Sequence, residues 1–392
     1  MSVNAKAQSR IKRAERAEPA ATPAPELETG GILTIDLDTL VANWRLLASR
    51  AAPAECAAVV KADAYGCGIE PVATALARAG CHTFFVADLA EARRVRAVAP
   101  SAVIYVLNGL VPESAPAFAD ADVQPVIGNL LELAEWDTFR KAHDWHGGAA
   151  LHFDTGMNRL GLSITEASAL AARLNSTDHG ISLVMSHFAC ADTPMHPLNE
   201  RQIAEFREIR MLFRGITASL ANSSGVFLSA SAHFDLVRPG VALYGANPTP
   251  GRDNPMRPVV ELTGRVVQTR DVPRGETVGY GATWTAKRET RLAVVSIGYA
   301  DGYPRALSET DDMPGGEVIV AGRHCPLAGR ISMDLLAVDV TDLPDGTVRR
   351  GDHVTLIGGD IGVDDVAAWA GTIGYEILTN LGRRYHRVYR GG

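Results

Sequence analysis

Between residues 57 and 244, short apolar runs alternate with amphipathic segments. The apolar runs have the length and β-branched content of buried parallel strands. They predict strands at Ala57–Lys61, Thr83–Ala87, Ala102–Leu107, Val123–Ile127, Ala149–Asp154, Ser182–His187, Ala218–Asn222 and Leu236–Tyr244. Between them, apolar residues recur at three- and four-residue spacing, which predicts helices at Pro71–Ala79, Leu89–Val98, Leu130–Ala142, Thr165–Leu174 and Asn199–Phe213.

This alternation favours a (β/α)8 TIM barrel, because eight strand–helix units in about 200 residues match the size of that fold. An open doubly wound sheet is the alternative, and it is disfavoured because no glycine-rich dinucleotide-binding turn follows the first strand. Ahead of these units, Ile32–Leu37 alternates like a strand. Asp38 is placed to cap a helix over Thr39–Arg50.

From about Val259, short alternating runs are separated by Gly, Pro and Asp turns. This pattern predicts an all-β domain, with a short helix at Val363–Trp369 and strands at Val259–Arg265, Leu292–Ile297, Glu317–Val320, Leu335–Val340 and His353–Leu356. Residues 1–30, rich in Ala, Pro, Arg and Glu, predict a disordered tail. The predicted organisation is therefore a tail at 1–30, a barrel at 31–258 and a C-terminal β domain at 259–392.

Composition and charge exclude several classes of protein. The 392 residues carry 38 Lys and Arg against 45 Asp and Glu, a net charge of −7, which argues against a nucleic-acid partner. No apolar run has transmembrane length, and no apolar segment follows the basic N-terminal residues, so we expect neither a membrane partner nor a secretory signal. The five cysteines lack CxxC spacing, so we predict no metal site and a cytoplasmic location.

The most informative stretch is AAVVKADAYGCG, residues 57–68, in which an apolar run ends at Lys61. A lysine at the rim of a sheet has its stem in apolar surroundings, which disfavour the ammonium form. A neutral lysine is nucleophilic and can form a Schiff base with an aldehyde such as pyridoxal phosphate. The alternative is a lysine that only extends its charged head into water at the strand end.

Other chemically active residues also fall at the ends of predicted strands. Arg159 follows one predicted strand, His187 ends another, the Asn222–Gly225 turn begins at the end of a third, and Arg238 lies in a fourth. In a barrel these ends meet at one rim, and the combination suits an anionic, phosphorylated cofactor. In the β domain, Tyr280 lies between glycines and Tyr299 lies in a turn of aromatic and charged residues, so either could belong to a site or to a surface hairpin.

Eight motifs, in this order, connect the chain with a known family. They are VVKADAYG (59–66), DTGMNRLG (154–161), ANSSG (221–225), VRPGVALYG (237–245), GYGATW (279–284), IGYADGYPR (297–305), GRISMD (329–334) and GTIGYE (371–376). The chain resembles the bacterial alanine racemases. The resemblance implies a barrel that binds pyridoxal phosphate, a β domain, and a head-to-tail homodimer in which each active site is completed by the other subunit.

The resemblance also implies the reaction and the residue roles. The reaction is the interconversion of L-alanine and D-alanine, supplying D-alanine for peptidoglycan. Lys61 matches the Schiff-base lysine and the base on the D face, and Tyr280 of the partner subunit matches the base on the L face. Matches to the cofactor-binding groups are Tyr65, His187, Asn222, Ser223, Arg238, Gly240, Val241 and Tyr375. Matches to the substrate-carboxylate site are Arg159 and Met333, and matches to the access corridor are Asp192, Tyr299, Arg305, Arg330 and Ile373.

The chain departs from the family pattern at three positions. His152 stands where many members carry a carbamylated lysine, so we expect no carbamate and expect His152 or an anion to hold Arg159. Cys67 and Ser332 replace a frequent histidine and a frequent cysteine. Two alternatives stay open: a racemase for a broader range of amino acids, and a non-catalytic barrel protein that carries pyridoxal phosphate.

Overall fold

The computed structural model describes residues 25–174 and 180–392. Most of the predicted disordered tail, residues 1–24, lies outside these residues. Residues 25–30 lie beside the C-terminal sheet, where Arg265 donates a hydrogen bond of 3.1 Å to the carbonyl of Glu26, and the predicted disorder of residues 1–30 stays a prediction. Strand Gly31–Asp36 leads into helix Leu37–Ala51, whose cap is Asp36 and not the predicted Asp38: the Asp36 carboxylate accepts the Thr39 N–H at 2.7 Å.

Parallel strands then form a barrel. Its strands are Glu55–Cys56 with Ala58–Val59, Thr83–Val86, Val103–Val106, Gln124–Ile127, Ala149–His152, Ile181–Met185, Thr217–Ser219 and Leu236–Val237. Neighbours in the chain pair in parallel from Ala58–Val59 to Thr217–Ser219. Leu236–Val237 pairs with Glu55–Cys56, and the Arg238 N–H donates to the Ala221 carbonyl at 2.8 Å. The last strand therefore joins the seventh to the first and closes the sheet, which confirms the predicted barrel.

Amphipathic helices cover the outside of the barrel. They are Ile69–Arg78, Leu89–Val98, Ala115–Asp120, Leu130–His143, Ile164–Leu174 and Pro197–Leu212. Their apolar stripes are buried against the strands, as at Ile69, Val72 and Leu76. The predicted strand Leu236–Tyr244 is too long, because Pro239 has no N–H to extend the pairing and residues Val241–Tyr244 form a 3-10 turn.

The C-terminal part is a mainly antiparallel sheet with two short helices, Val363–Ala370 and Gly374–Thr379. Its strands are Val260–Val272, Thr277–Val278, Trp284–Thr285, Thr290–Val295, Glu317–Val320, Arg323–Pro326, Leu336–Asp339, His353–Ile357 and His386–Arg390. Strand Gly31–Asp36 pairs antiparallel with Val260–Val272 and parallel with His386–Arg390. The first strand of the predicted barrel region thus belongs to the C-terminal sheet, while the predicted boundary at residue 258 stays a prediction.

Candidate active site

A cavity of about 520 Å³ opens at the C-terminal ends of the barrel strands. Its size is typical of a site for a cofactor or a small substrate. Its lining includes ten residues predicted from the sequence: Lys61, Tyr65, Arg159, His187, Asn222, Ser223, Arg238, Gly240, Val241 and Tyr375. It also includes residues without a predicted role, among them Asn108, Met185 and Thr379.

Lys61 begins a left-handed turn that the sequence analysis missed. The four residues after it, Ala62–Tyr65, have φ between 52° and 55°. Each such residue costs roughly 1–2 kcal/mol outside glycine, so contacts from the surrounding structure must hold the turn. The Asp63 carboxylate accepts the Ile69 N–H at 3.1 Å and pairs with Arg94 at 2.6 Å. The residues Lys61–Tyr65 do not predict this conformation, because alanine and tyrosine rarely have positive φ. The glycine that follows them, Gly66, does favour it.

The environment of Lys61 favours its neutral form. Burial lowers the pKa of its ammonium, the positive charge of Arg159 lowers the pKa further, and Glu91 opposes the shift. This agrees with the desolvation expected for a lysine at the end of a buried strand. A lysine with a lowered pKa can act both as a nucleophile toward an aldehyde and as a proton carrier.

A buried arginine and a neutral histidine lie behind the cavity. Arg238 is 3% exposed, and its guanidinium donates to Ser219 Oγ, to the Ser186 carbonyl at 2.6 Å and to His187 Nδ1 at 3.2 Å. Burial lowers the pKa of Arg238 to about 9, so it stays charged at neutral pH. Since Nδ1 of His187 faces a donor, it must accept, which places the ring proton on Nε2. Burial and the charge of Arg238 hold the pKa of His187 well below its usual value.

One end of the cavity is built for an anionic group. Ser223 Oγ accepts the N–H groups of Gly240 at 2.9 Å and Ala242 at 3.2 Å, and a hydroxyl that accepts twice uses its own proton as a donor. The Tyr65 ring stacks on Tyr244, with ring centroids 4.6 Å apart. A Cβ added to Gly240 would lie 2.3 Å from the Tyr65 hydroxyl, so only glycine leaves this space open. Hydroxyls and backbone beside a glycine suit a phosphate. With Lys61, these groups fit pyridoxal phosphate.

This geometry predicts a steric effect at Gly240. In the Gly240→Ala variant, the added Cβ would meet the Tyr65 hydroxyl directly. We expect cofactor binding to weaken about tenfold, because overpacking costs about 1–3 kcal/mol. Titration of the apoprotein with pyridoxal phosphate measures this. In a Tyr65→Phe background, Gly240→Ala should weaken cofactor binding clearly less than it does in the wild type. An equal loss of affinity in both backgrounds would contradict a clash with the Tyr65 hydroxyl.

Several predicted site residues lie outside this cavity. Among the described residues, Tyr280 and Arg330 line a separate hollow in the C-terminal domain, and Tyr299 and Arg305 line another. Tyr280 is 72% exposed, in the turn Tyr280–Ala282, and Met333 is 53% exposed. Within one chain, therefore, the structure does not bring Tyr280 or Met333 into the lining of the cavity that holds Lys61.

The remaining predicted residues lie in or beside the cavity. Asp192 and Ile373 line an adjoining hollow, and Tyr375 faces both spaces. His152 lines the cavity and is 8% exposed; burial and the charges of Arg238 and Arg159 lower its pKa to about 4. In the described part of the chain, His152 and Arg159 share the cavity without a hydrogen bond between them.

Comparison with known proteins agrees with this geometry. A barrel whose rim combines a half-buried lysine, a charged arginine and the hydroxyls of Tyr65 and Ser223 beside Gly240 is typical of a barrel enzyme that uses pyridoxal phosphate. The family model for the alanine racemase N-terminal domain matches residues 35–248, and that for the C-terminal domain matches residues 259–389. The chain belongs to the alanine racemase family. This confirms the predictions of the family, the fold class, an amino-acid isomerase and pyridoxal phosphate as the cofactor.

Individual relatives are similar over nearly their whole length. An alanine racemase of Methylobacterium sp. (strain 4-46) is 56% identical over 360 residues, covering 92% of this chain and 98% of the relative. The crystal structure of alanine racemase from Bartonella henselae with covalently bound pyridoxal phosphate is 40% identical, with a TM-score of 0.87 over 92% of this chain and 99% of that one. The biosynthetic alanine racemase from Pseudomonas aeruginosa is 39% identical, with a TM-score of 0.85 over 93% and 100%.

Two further properties bear on partners and metals. In residues 25–174 and 180–392, each helix is too short or too polar to cross a membrane. The same residues contain no group of three or more His, Cys, Asp or Glu side chains arranged to hold a metal ion.

Proposed function

We propose that this chain interconverts L-alanine and D-alanine with pyridoxal phosphate, as a cytoplasmic homodimer that shares its active sites and supplies D-alanine for peptidoglycan. When bound, pyridoxal phosphate stabilises the negative charge left on the substrate α-carbon after its proton is removed. The other requirements of the reaction fall to side chains of the protein. One observation carries the proposal. Lys61, with a lowered pKa, lines the same cavity as the hydroxyls of Tyr65 and Ser223 beside Gly240, which suit a phosphate.

Each end of the cavity has its own binding task. We assign the phosphate to Tyr65, Ser223, Gly240, Val241 and Tyr375, where hydroxyls and backbone surround the space beside glycine. We assign Arg238 and His187 to the ring of the cofactor, which they would contact when it is bound. A network of hydrogen bonds joins the two side chains to each other and to the backbone, and so fixes their orientation.

The substrate carboxylate is assigned to Arg159 and to the backbone of Met333. Arg159 lies on the rim of the cavity, where its charge is accessible to a small anion. It follows a turn in which Asp154 Oδ1 accepts the N–H groups of Gly156 at 2.9 Å and Met157 at 3.0 Å. This turn fixes the backbone that presents Arg159. Asp192, Tyr299, Arg305, Arg330 and Ile373 are assigned to the access corridor.

The reaction needs a second proton carrier, on the face of the substrate opposite Lys61. The cavity offers poor candidates. Burial raises the pKa of Tyr65, and burial and the charge of Asp192 raise the pKa of Tyr375 to about 12. His152 and His187 both have lowered pKa values, which make them weak bases. Tyr280 is 72% exposed on a turn between glycines, as expected of a residue that projects into another molecule. We therefore assign this role to the partner subunit's Tyr280.

A chiral assay tests the reaction and its substrate range. Purified protein is incubated with pyridoxal phosphate and, separately, with L-alanine, L-serine and L-lysine, and the D-enantiomers are quantified. We expect D-alanine to accumulate far faster than D-serine or D-lysine. Comparable rates for all three would support the broader racemase, and no D-alanine from protein with bound cofactor would contradict the proposal in favour of a non-catalytic carrier.

A further inference from the structure

A carboxylate outside the cavity contacts the backbone of the lysine turn. Glu91 lies in the first turn of helix Leu89–Val98 and is half-buried. Its Oε1 accepts the Asp63 N–H at 2.9 Å, and its Oε2 accepts the Ala87 N–H at 2.9 Å. Asp63 belongs to the left-handed turn after Lys61, and Ala87 follows the neighbouring strand Thr83–Val86. One side chain therefore joins the turn to the end of a second barrel strand.

Only one of these two hydrogen bonds belongs to ordinary helix capping. The Ala87 bond connects a residue in the first helical turn to the backbone just ahead of the helix, as a capping glutamate does. Asp63 is 28 residues earlier in the chain, and its N–H lies in a segment with positive φ. A left-handed turn of non-glycine residues persists only where the surroundings fix it. The hydrogen bond from Asp63 to Glu91 therefore helps to fix the left-handed turn, a role that helix capping does not explain.

A second helix of the barrel provides an internal comparison. Glu132, in the first turn of helix Leu130–His143, accepts the Gly128 N–H at 2.8 Å through Oε2, the same four-residue spacing as Glu91 to Ala87. Asp88 and Asn129 cap the two helices in the same way. Glu132 is also half-buried, but its hydrogen bonds reach no residue of the lysine turn. The two glutamates therefore differ chiefly in the bond to Asp63.

The charge of Glu91 also faces the lysine. Its carboxylate raises the pKa of Lys61, in opposition to burial and Arg159. Arg94, on the same helix, pairs with the Asp63 carboxylate at 2.6 Å and with Glu70 at 2.6 Å. One helix therefore holds both the backbone N–H and the side chain of Asp63. A shift of this helix end would move the turn and the Cα of Lys61 together.

We propose that Glu91 is a positioning residue for Lys61, which it holds in place by locking the left-handed turn to the end of strand Thr83–Val86. It touches neither cofactor nor substrate in this assignment. The expected loss of kcat rests on the proposed function. The expected loosening of the turn rests only on the hydrogen bond from Asp63 to Glu91. A carboxylate is required because both of its contacts are N–H donors, and an amide would present its own N–H to one of them.

The test compares Glu91→Gln with Glu132→Gln. We expect the first to lower kcat for alanine by about 10- to 100-fold, because small displacements of a reacting group have effects of that size, while KM changes far less. In hydrogen–deuterium exchange of the holoenzyme, the peptide 60–68 should exchange at least about tenfold faster in Glu91→Gln, with the rest of the barrel unchanged. Glu132→Gln should leave both kcat and this peptide near the wild type.

Different results would contradict the role of Glu91 and the proposed function. Equal losses in the two variants would make Glu91 an ordinary cap and overturn the proposal, as would a Glu91→Gln protein with wild-type exchange and kcat. If Glu91→Gln does not fold, Glu91→Asp keeps the charge but is too short to reach both N–H groups. It should then show the faster exchange of peptide 60–68 alone, and unchanged exchange would overturn the proposal. Loss of alanine racemisation by the wild type would instead contradict the proposed function.

Discussion

Mixing two inactive variants, Lys61→Ala and Tyr280→Phe, should restore alanine racemisation. Each variant alone should lose about 10²- to 10⁴-fold in activity, because each removes one of the two proton carriers. After joint unfolding and refolding in equal amounts, half of the dimers combine one variant of each kind. In such a dimer one of the two sites has both Lys61 and Tyr280, so about a quarter of the wild-type specific activity should return.

The structure makes this a stringent test of the shared site. Tyr280 is absent from the lining of the Lys61 cavity of its own chain and is 72% exposed. If the tyrosine acted within its own chain, no mixture of the two variants could regain an intact site. The control mixes Lys61→Ala with Lys61→Gln, which share the same defect and must stay inactive. A mixture of Lys61→Ala and Tyr280→Phe that stays inactive although mass spectrometry detects mixed dimers would contradict the assignment of Tyr280.

The sequence was most informative where local patterns determine structure. Helices such as Leu89–Val98 were predicted with their bounds, because the apolar stripe of a surface helix repeats within the segment itself. Lys61, Arg159, His187, the Asn222–Gly225 turn and Arg238 were predicted together because barrel topology brings the ends of all strands to one rim. Gly240, Val241 and Tyr375 were implied only by the family resemblance. Residues as distant in the chain as Lys61 and Tyr375 line the same space, as the family resemblance implied.

The features that sequence reasoning missed depend on distant parts of the chain. The strand Gly31–Asp36 comes directly before the barrel in the chain, and pairing with residues more than 220 positions away assigns it to the C-terminal sheet. In the left-handed turn at Ala62–Tyr65, the N–H and the carboxylate of Asp63 contact Glu91 and Arg94, which lie about 30 residues further along the chain. Glu91 itself has the pattern of a helix cap, and no motif distinguishes it from Glu132.

Acid should destabilise this protein through His152. Its pKa in the folded protein is about 4, against 6.5 in an exposed histidine, since burial and the charges of Arg238 and Arg159 disfavour the imidazolium. Between these two pH values the unfolded chain binds more protons at this residue than the folded chain does. The free energy of unfolding therefore falls as pH drops from 6.5 toward 4, and His152 contributes about 3 kcal/mol of that fall.

The variant His152→Gln removes this contribution, because glutamine does not titrate. Denaturant unfolding at both ends of the pH range should show a clearly smaller loss of stability in His152→Gln than in the wild type. His143→Gln, which replaces an exposed histidine on a barrel helix, is the matched control and should follow the wild type. His187 is unchanged in every variant, and burial and the charges of Arg238 and Arg159, which lower its pKa more than His152 does, are common to all of them. If His152→Gln loses as much stability as the wild type, the imidazole is not held neutral by burial.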